Sequence, residues 1–439
     1  MKPVTPLSRL LAGVLTLLTG ALLLSAPTAL AAGLGAGGGT GNWTGTWSTA
    51  PTTVPAGDTT TFRDQTIRQV VHASIGGDAL RIRFSNEFGT APLVIGEARV
   101  ARQASDGPGS RAMPGTDRPL TFGGRTRVTV PPGEPLLSDP VPLRLPEAAD
   151  LLISVYLPES TRGSTVNAFS AEENYLADGN VTRRTDITPT ATTDRWYFLT
   201  GVSVLTRPGP TAAVVTLGDS LTAGSSVSTN HRWSDHLAQR LRDARGLPDT
   251  GVLNAGISGN RLLRDPNPPA DSPAQGYAAY FGESGLKRFD RDVLAQPGVR
   301  SVIVLLGIND IGQPGTVSAP ASERVTAAEV IDGHRRLIAR AHAHGIEVIG
   351  GTITPFRDDT LGFYSPENEV VRQQVNAWIR TSGAYDAVAD FDAAVRDPAQ
   401  PDRLNPAYDS GDHLHLNDAG NAALATAVPL AAFRPGFAN

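Results

Sequence analysis

The pattern of hydrophobic and polar positions changes near residue 206 of the chain. Before that point, short β-branched runs are separated by turn residues, and arginines alternate with apolar side chains at 80–84. The predicted strands in this part are 67–75, 80–84, 93–100, 127–130, 151–157 and 196–204. Gly76-Gly77-Asp78 between the first two predicts a β-hairpin. We therefore expect an all-β sandwich, jelly-roll-like, over residues 42–205.

Residues 206–210, which contain two prolines and a glycine, predict a linker, and beyond them strand-like runs alternate with helical periodicity. The predicted strands are 213–217, 252–254, 302–306, 348–351 and 387–389. A helix near 326–343 begins with a capping box at Thr326, and Ser365 precedes a proline at a second helix start. This alternation predicts an α/β region over residues 211–439, with helices on both faces of a parallel sheet. Ligands of such sheets bind beyond the carboxyl ends of the strands.

The N-terminal residues have the layout of a secretory signal peptide. Two cations precede an apolar run over 10–24, and an Ala-Leu-Ala tripeptide follows at 29–31. The run is shorter than the roughly 20 residues of a membrane span, so we expect a signal peptide at 1–31 and no stable membrane anchor. A Gly-rich leader at 32–41 follows. These features predict a secreted protein.

Composition narrows the possible functions. The 439 residues include 38 Lys and Arg against 43 Asp and Glu, for a net charge of −5, so no cationic surface for nucleic acid is expected. The sequence contains no cysteine, which excludes disulfides, thiolate catalysis and Cys-ligated zinc. The length is typical of two domains, and the sequence makes no prediction about oligomeric state.

Four short blocks carry the candidate chemistry, each after a predicted strand or in the last loop. They are Gly218-Asp219-Ser220-Leu221, Asn254-Ala255-Gly256, Gly307-Ile308-Asn309-Asp310 and Asp412-His413-Leu414-His415. A serine hydroxyl becomes a nucleophile when an imidazole takes its proton and an acceptor holds the other ring nitrogen. Asp412 and His415 fit these roles for Ser220. Asp409 with His413, spaced four apart, is the alternative pair.

These blocks resemble those of the SGNH or GDSL family of esterases and acylhydrolases, in the same order and with the same strand placement, from residue 213 to the C-terminus. The resemblance implies a three-layer, flavodoxin-like SGNH hydrolase fold and ester hydrolysis without a cofactor or a metal. It implies Ser220, Asp412 and His415 as catalytic residues.

The resemblance also implies an oxyanion hole formed by the backbone N–H groups of Ser220 and Gly256 and by the side-chain amide of Asn309. We expect Asp219 and Asp310 to support the loops by accepting backbone hydrogen bonds. His413 and His415 with nearby aspartates could instead be metal ligands, but no second ligand cluster accompanies them.

The expected substrate is a small-molecule or polysaccharide-borne ester. The runs 288–292 and 308–311 look like those of bacterial arylesterases or acylhydrolases found beside xylan-degrading enzymes, which favours a xylan-type O-deacetylase as an alternative, and a lipase is another. A non-enzymatic binding module is disfavoured because every catalytic position is filled.

Two segments are candidates for substrate contacts. The aromatic residues of the β-rich part could stack on sugar rings, although core packing is favoured; they are Trp43, Trp47, Trp196 and Tyr197. The long insertion at 261–285 either shapes the substrate pocket or is simply a packed loop.

Overall fold

The structure, a computed structural model, describes residues 41–107, 109–224 and 229–434. The predicted signal peptide at 1–31, and all of the predicted leader except residue 41, lie outside these residues. We use "β-rich region" for residues 42–205 and "α/β region" for residues 211–434.

The β-rich region is built of short strands. They are β1 (Trp43–Ser48), β2 (Thr61–Phe62), β3 (Gln65–His72), β4 (Leu80–Ser85), β5 (Leu93–Ile95), β6 (Glu97–Arg102), β7 (Arg118–Pro119), β8 (Val128–Val130), β9 (Pro135–Leu137), β10 (Asp150–Leu157), β11 (Thr161–Arg162), β12 (Val166–Asn167), β13 (Asn174–Asp178), β14 (Ala191–Thr193), β15 (Trp196–Tyr197) and β16 (Leu199–Leu205).

Two antiparallel sheets form the sandwich, with strand orders β1-β16-β4-β9 and β14-β13-β3-β10-β6-β7. Alternate side chains of both sheets meet in one hydrophobic core, where Val71 and Ile153 of the second sheet join Ile82 and Val204 of the first. The predicted antiparallel β region is therefore confirmed. The predicted strand at 93–100 is divided at Gly96, where a Cβ would lie 2.8 Å from the ring of Tyr156.

The predicted hairpin at Gly76-Gly77-Asp78 is wrong. β3 pairs with β10 and β13, whereas β4 pairs with β16 and β9, so the two strands lie in different sheets. The connecting residues cross from one sheet to the other, and a Cβ on Gly77 would lie 2.7 Å from the Val204 side chain. The glycines permit this close crossing, which produces the same local sequence signal as a tight turn.

The α/β region contains a parallel sheet and helices that alternate along the chain. Its strands are β17 (Thr211–Gly218), β18 (Asp249–Gly256), β19 (Val299–Leu305), β20 (Glu347–Gly351) and β21 (Ala387–Ala389). Its α-helices are α1 (Ser220–Ala223), α2 (Trp233–Asp243), α3 (Gly285–Phe289), α4 (Ile308–Gly312), α5 (Ala327–His342), α6 (Pro366–Thr381), α7 (Phe391–Val395) and α8 (Asp418–Ala427). A π-helical turn spans Asp290–Leu294, and 3₁₀ turns span Pro273–Gly276, Ala278–Phe281, Ala321–Glu323 and Leu430–Phe433.

The strand order β18-β17-β19-β20-β21 is that of a flavodoxin-like sheet, and each neighbouring pair is parallel. The central strands are buried almost continuously, as expected when helices cover both faces. The strand order reverses at β17, so the crevice for a ligand lies beyond the ends of β17 and β19. The predicted fold is confirmed.

The helix starts follow the predicted capping signals. Thr326 accepts the N–H of Glu329 while the Glu329 carboxylate accepts the N–H of Thr326, and Ser365 caps α6 ahead of Pro366. His334 lies fully buried on the apolar face of α5. None of the helices in the described ranges is long and apolar enough to cross a membrane.

The β-rich region packs along the edge of the parallel sheet. β1 runs beside β18, the edge strand, and the N–H of Gly45 donates to the Pro297 carbonyl at 2.8 Å. The N–H of Val252 donates to Ser74 Oγ at 2.9 Å. This contact covers backbone groups of an edge strand that would otherwise be open to pairing with another chain.

The aromatic side chains that could have stacked on sugars are mostly part of the core. Trp47, Trp196 and Tyr197 are 4%, 3% and 3% exposed, and the two tryptophans pack edge to face. The guanidinium of Arg81 lies over the ring of Trp43, with Cζ of Arg81 4.4 Å from the ring centroid. The structure therefore agrees with the favoured interpretation, core packing, for Trp47, Trp196 and Tyr197.

Candidate active site

The candidate nucleophile lies directly beyond the central strand. β17 ends at Gly218, and Asp219 caps α1 by accepting the N–H of Leu221 on Oδ1 at 3.0 Å. Ser220 is the first residue of this helix and is half-buried. The N–H of Ser220, at the first helical position, has no acceptor within its own helix.

The last loop brings an imidazole and a carboxylate to this serine. His415 Nε2 lies 2.8 Å from Ser220 Oγ, and His415 Nδ1 lies 2.6 Å from Asp412 Oδ2. The other oxygen of Asp412 accepts the backbone N–H of Leu414 at 3.0 Å and of His415 at 2.8 Å. The hydrogen bond from the His415 ring holds the pKa of Asp412 well below its usual range. Asp412 is therefore a carboxylate with both oxygens directed at this loop.

The alternative pair also forms, but away from the serine. Asp409 Oδ2 lies 2.5 Å from His413 Nδ1, and Asp409 Oδ1 accepts the N–H groups of Gly411 and His413. His413 is about half exposed and has φ of 63°. Among the described residues, the imidazole that hydrogen-bonds to Ser220 is that of His415. Asp409 stabilises the backbone of the loop that carries His415 by accepting the N–H groups of Gly411 and His413.

Asn309 presents a buried donor near the same strand edge. It lies in α4, directly after β19, and is 4% exposed. Its Oδ1 accepts Nε2 of Gln313 at 3.0 Å, and that nitrogen also donates to the Gly259 carbonyl at 2.8 Å. Nδ2 of Asn309 makes no hydrogen bond of good geometry among the residues that the structure describes, although the Asn309 side chain lies close enough to the Asp219 carboxyl to lower its pKa. Gln313 thus fixes which way the Asn309 amide faces.

Gly256 is required for packing. A Cβ at this position would lie 2.3 Å from the backbone nitrogen of Ala223, so only glycine lets α1 approach the end of β18 this closely. Its N–H donates to Asn254 Oδ1 at 2.9 Å. An oxyanion role for Gly256 therefore requires that its N–H be shared with Asn254, and this role stays a prediction.

Two buried carboxyl groups support the loops. Asp310 accepts the backbone N–H groups of Leu262 and Leu263 at 2.7 and 2.9 Å. Burial raises the pKa of Asp219 to about 7 and that of Asp310 to about 6. At Asp219 the backbone N–H of Leu221 and the nearby Asn309 side chain offset only part of this effect of burial.

A buried arginine fixes the ends of the first two parallel strands. Arg288 is fully buried and donates to the carbonyls of Gly218 at 2.9 Å and Ala255 at 2.8 Å. Its charge is paired with Asp292 at 3.0 Å. The carbonyls it binds immediately precede Asp219 and Gly256, so the arginine sets the spacing of these two loops.

The pocket at Ser220 has a cavity volume of about 250 Å³. Its lining combines the site with the β-rich region: Phe169, Ser170, Ala171, Asp194, Ser220, Gly224, Ser258 and His415. The insertion at 261–285 lines a different cavity, against residues 53–56 and Phe88. The prediction that it shapes the pocket is therefore not supported by this lining, and packing is the role that the contacts show.

Comparison with known proteins identifies a family for most of the α/β region. Residues 216–423 match the sequence model of the GDSL-like lipase/acylhydrolase family. This part of the chain belongs to that family. The protein is accordingly an ester-bond hydrolase. No curated protein matches the sequence.

Solved structures similar to the chain include three bacterial proteins. A putative lipolytic protein of the G-D-S-L family from Desulfitobacterium hafniense is 19% identical, covering 49% of this chain and 97% of its own, with a TM-score of 0.35. An aryl esterase of M. smegmatis is 18% identical, covering 49% and 95%, with a TM-score of 0.37. An acetylxylan esterase from Geobacillus stearothermophilus is 20% identical, covering 50% and 93%, with a TM-score of 0.36.

Sequence reasoning missed several residues around the GDSL-like site. Phe169 and Asp194 lie in the β-rich region and carry no local signal of a role, because only tertiary packing brings them to the pocket. Gln313 stands four residues after Asn309 at the end of a helix, and this spacing could have predicted their contact. In the described part of the chain, no group of three or more acidic or histidine side chains is arranged to hold a metal ion.

The pKa of Asp219 predicts a pH-dependent stability difference. The pKa in the folded chain, about 7, lies above the ordinary value of 3.8, so the neutral carboxyl favours folding at low pH, and this contribution is lost as the pH rises from 3.8 to about 7. Asn at this position is neutral throughout. We expect the melting temperature of Asp219→Asn minus that of the wild type to increase from pH 5 to pH 8 in thermal unfolding.

The matched control is Asp106→Asn, because the Asp106 side chain is 82% exposed. Its melting temperature should follow that of the wild type at both pH values. A difference for Asp219→Asn that stays constant or decreases with pH would contradict a raised pKa.

Proposed function

We propose that the protein is a secreted serine carboxylic-ester hydrolase in which Ser220, His415 and Asp412 form the catalytic triad. The observation that carries the proposal is the continuous set of contacts from Ser220 Oγ through both ring nitrogens of His415 to Asp412. This is the geometry of nucleophile, general base and orienting carboxylate.

The contacts support a two-step acyl transfer. Ser220 Oγ attacks the ester carbonyl carbon while His415 Nε2 takes the hydroxyl proton, and the same nitrogen returns it to the alcohol oxygen when the ester bond breaks. Water then attacks the acyl-serine with His415 again as base, which releases the acid and restores Ser220. Asp412 holds the imidazole in the tautomer with a proton on Nδ1 and stabilises the imidazolium.

Donors for the oxyanion lie at the same strand edge. The proposed donors are the N–H of Ser220, at the first position of α1, Nδ2 of Asn309, and the N–H of Gly256, which is shared with Asn254. A buried donor held ready before the reaction needs no reorganisation when charge develops on the oxygen, which is the source of its catalytic effect.

The pocket volume bears on the acyl group. The described residues enclose a cavity of about 250 Å³ next to Ser220, which is enough for a short acyl group. We therefore propose esters with short acyl groups as substrates, in preference to the long acyl chains of a lipase. A polysaccharide O-deacetylase, which removes an acetyl group, is the second candidate that this volume favours.

Ser220→Ala should abolish ester hydrolysis, because it removes the nucleophile. We expect kcat to decrease by at least about 1,000-fold on p-nitrophenyl acetate, with an unchanged melting temperature. In a chain-length series of p-nitrophenyl esters, the wild type should hydrolyse the acetate faster than the palmitate.

The matched control for Ser220→Ala is Ser382→Ala, at an exposed position after α6, which should retain activity. Full activity in Ser220→Ala would exclude the serine mechanism.

Asn309→Ala tests the oxyanion hole. Loss of one such donor typically costs about 100- to 1,000-fold in rate, so kcat should decrease by this factor while KM changes little. Asn309→Asp keeps the shape but replaces the donor with an acceptor and should lose at least as much. A decrease of less than about 5-fold in steady-state kcat for both variants would show that Asn309 is not a donor to the transition state.

We also propose export by the N-terminal pattern of residues 1–31. In a secreting bacterial host, the active chain should appear in the medium, and its intact mass should correspond to cleavage next to residue 31. A matched chain lacking residues 1–31 should stay inside the cell. Recovery of the full-length chain in the membrane fraction would contradict this proposal.

A further inference from the structure

One wall of the Ser220 pocket comes from a distant part of the sequence. Phe169, Ser170, Ala171 and Asp194 of the β-rich region line it together with Ser220 and His415. The two regions therefore share this pocket, although the four catalytic blocks all belong to the α/β region.

This wall is held by hydrogen bonds. The N–H of Phe169 donates to Asn167 Oδ1 at 3.0 Å, and the N–H of Ser170 donates to the carbonyl of Asp194 at 2.8 Å. Ser170 Oγ also donates to the Glu172 carbonyl at 2.8 Å. Ala171 has φ of 55°, a conformation that L-residues seldom adopt without support. These hydrogen bonds support the conformation in which the loop lines the pocket.

Phe169 remains accessible in this wall. Its side chain is 44% exposed, whereas the neighbouring aromatic residues Trp196 and Tyr197 are buried. An exposed phenyl ring beside a nucleophile offers a flat apolar face, and rings stack on such faces in offset or edge-to-face geometry.

Asp194 adds a negative charge to the same wall. It is exposed, and none of the ion pairs among the described residues involves its carboxylate. The next residue, Arg195, pairs with Asp58 at 2.9 Å instead. An uncompensated carboxylate at the rim repels anionic groups and accepts hydrogen bonds from hydroxyls.

We propose that Phe169 and Asp194 form a subsite for a neutral ring of the substrate, aryl or pyranose, which stacks on Phe169. This inference rests on the proposed ester hydrolase and adds to it the class of substrate. Phe169 would then be a specificity-determining residue supplied by the β-rich region.

The test compares esters that share an acetyl group and differ in the alcohol: phenyl acetate, an acetylated methyl xyloside and ethyl acetate. For Phe169→Ala, the ratio of kcat/KM for each ring-bearing ester to that for ethyl acetate should decrease by about 2- to 10-fold, the size expected for one aromatic contact. Phe169→Trp, which keeps a flat apolar face, should retain the ratio.

Tyr277→Ala is the matched control, because Tyr277 is an exposed aromatic residue, 39% accessible, that does not line the Ser220 pocket. Its ratios should equal those of the wild type. Melting temperatures of all variants establish that they are folded.

Asp194→Asn tests the charge separately. The kcat/KM for 4-acetoxybenzoate relative to phenyl acetate should rise in this variant, because the added carboxylate of the substrate no longer meets a like charge. An unchanged relative rate would remove Asp194 from the subsite.

Each outcome of the Phe169 experiment decides the proposal. A decreased ratio for both ring-bearing esters, or for one of them, supports the subsite and identifies the ring. Equal loss on all three esters, or no loss, overturns it. Failure of the wild type to hydrolyse any of the three would instead contradict the proposed ester hydrolase, so the two failures are distinguishable.

Discussion

The parallel pairing of β17 with β18 and β19 is the constraint on which the site depends. Gly218 of β17 is in register with Gly256 of β18 and with Leu305 of β19, so three strands end at one edge. Residues far apart in sequence therefore emerge within one small volume, which no single loop could arrange. Arg288 reinforces this edge by binding the carbonyl of Gly218, the last residue of β17, and that of Ala255, one residue before the end of β18. Its burial is stabilised by the charge of Asp292. The last loop then has only to bring His415 to a serine whose position is already fixed.

Function at this edge costs stability, and the cost can be assigned to particular atoms. Asp219 Oδ2 and Asn309 Nδ2 are both buried, and neither makes a hydrogen bond of good geometry in the described part of the chain. The two groups are neighbours, since the Asn309 amide is among the influences that partly offset the effect of burial on the pKa of Asp219. A buried donor without a well-placed partner is unfavourable in the free protein but is satisfied when an oxyanion forms, so the pattern is expected at a catalytic site and not in an ordinary core.

The sequence predicted those features that depend on local chemistry. Thr326 and Ser365 mark the starts of their helices in the sequence, because a cap needs only neighbouring backbone N–H groups. Three of the four candidate blocks lie at the ends of strands that are recognisable from their own apolar runs. Gly76-Gly77-Asp78 was misinterpreted because partners of a strand are chosen by the whole fold, and a crossing between sheets uses the same residues as a turn. Phe169 could not be found at all, since its contact with the pocket depends on how two regions pack.

The packing of the β-rich region against the α/β region also determines the position of one wall of the Ser220 pocket. β1 covers the edge of β18, and the insertion at 261–285 is tied to the β-rich region through Tyr280, whose hydroxyl contacts Asp58 and lies 3.0 Å from Arg195. Arg195 directly follows Asp194, so the same cluster that binds the insertion also fixes the rim of the pocket. The reacting groups lie in the α/β region, and the surface that faces the substrate is completed by the β-rich region. If the proposed subsite is correct, substitutions in the β-rich region will change which ester is accepted without altering the contacts among Ser220, His415 and Asp412.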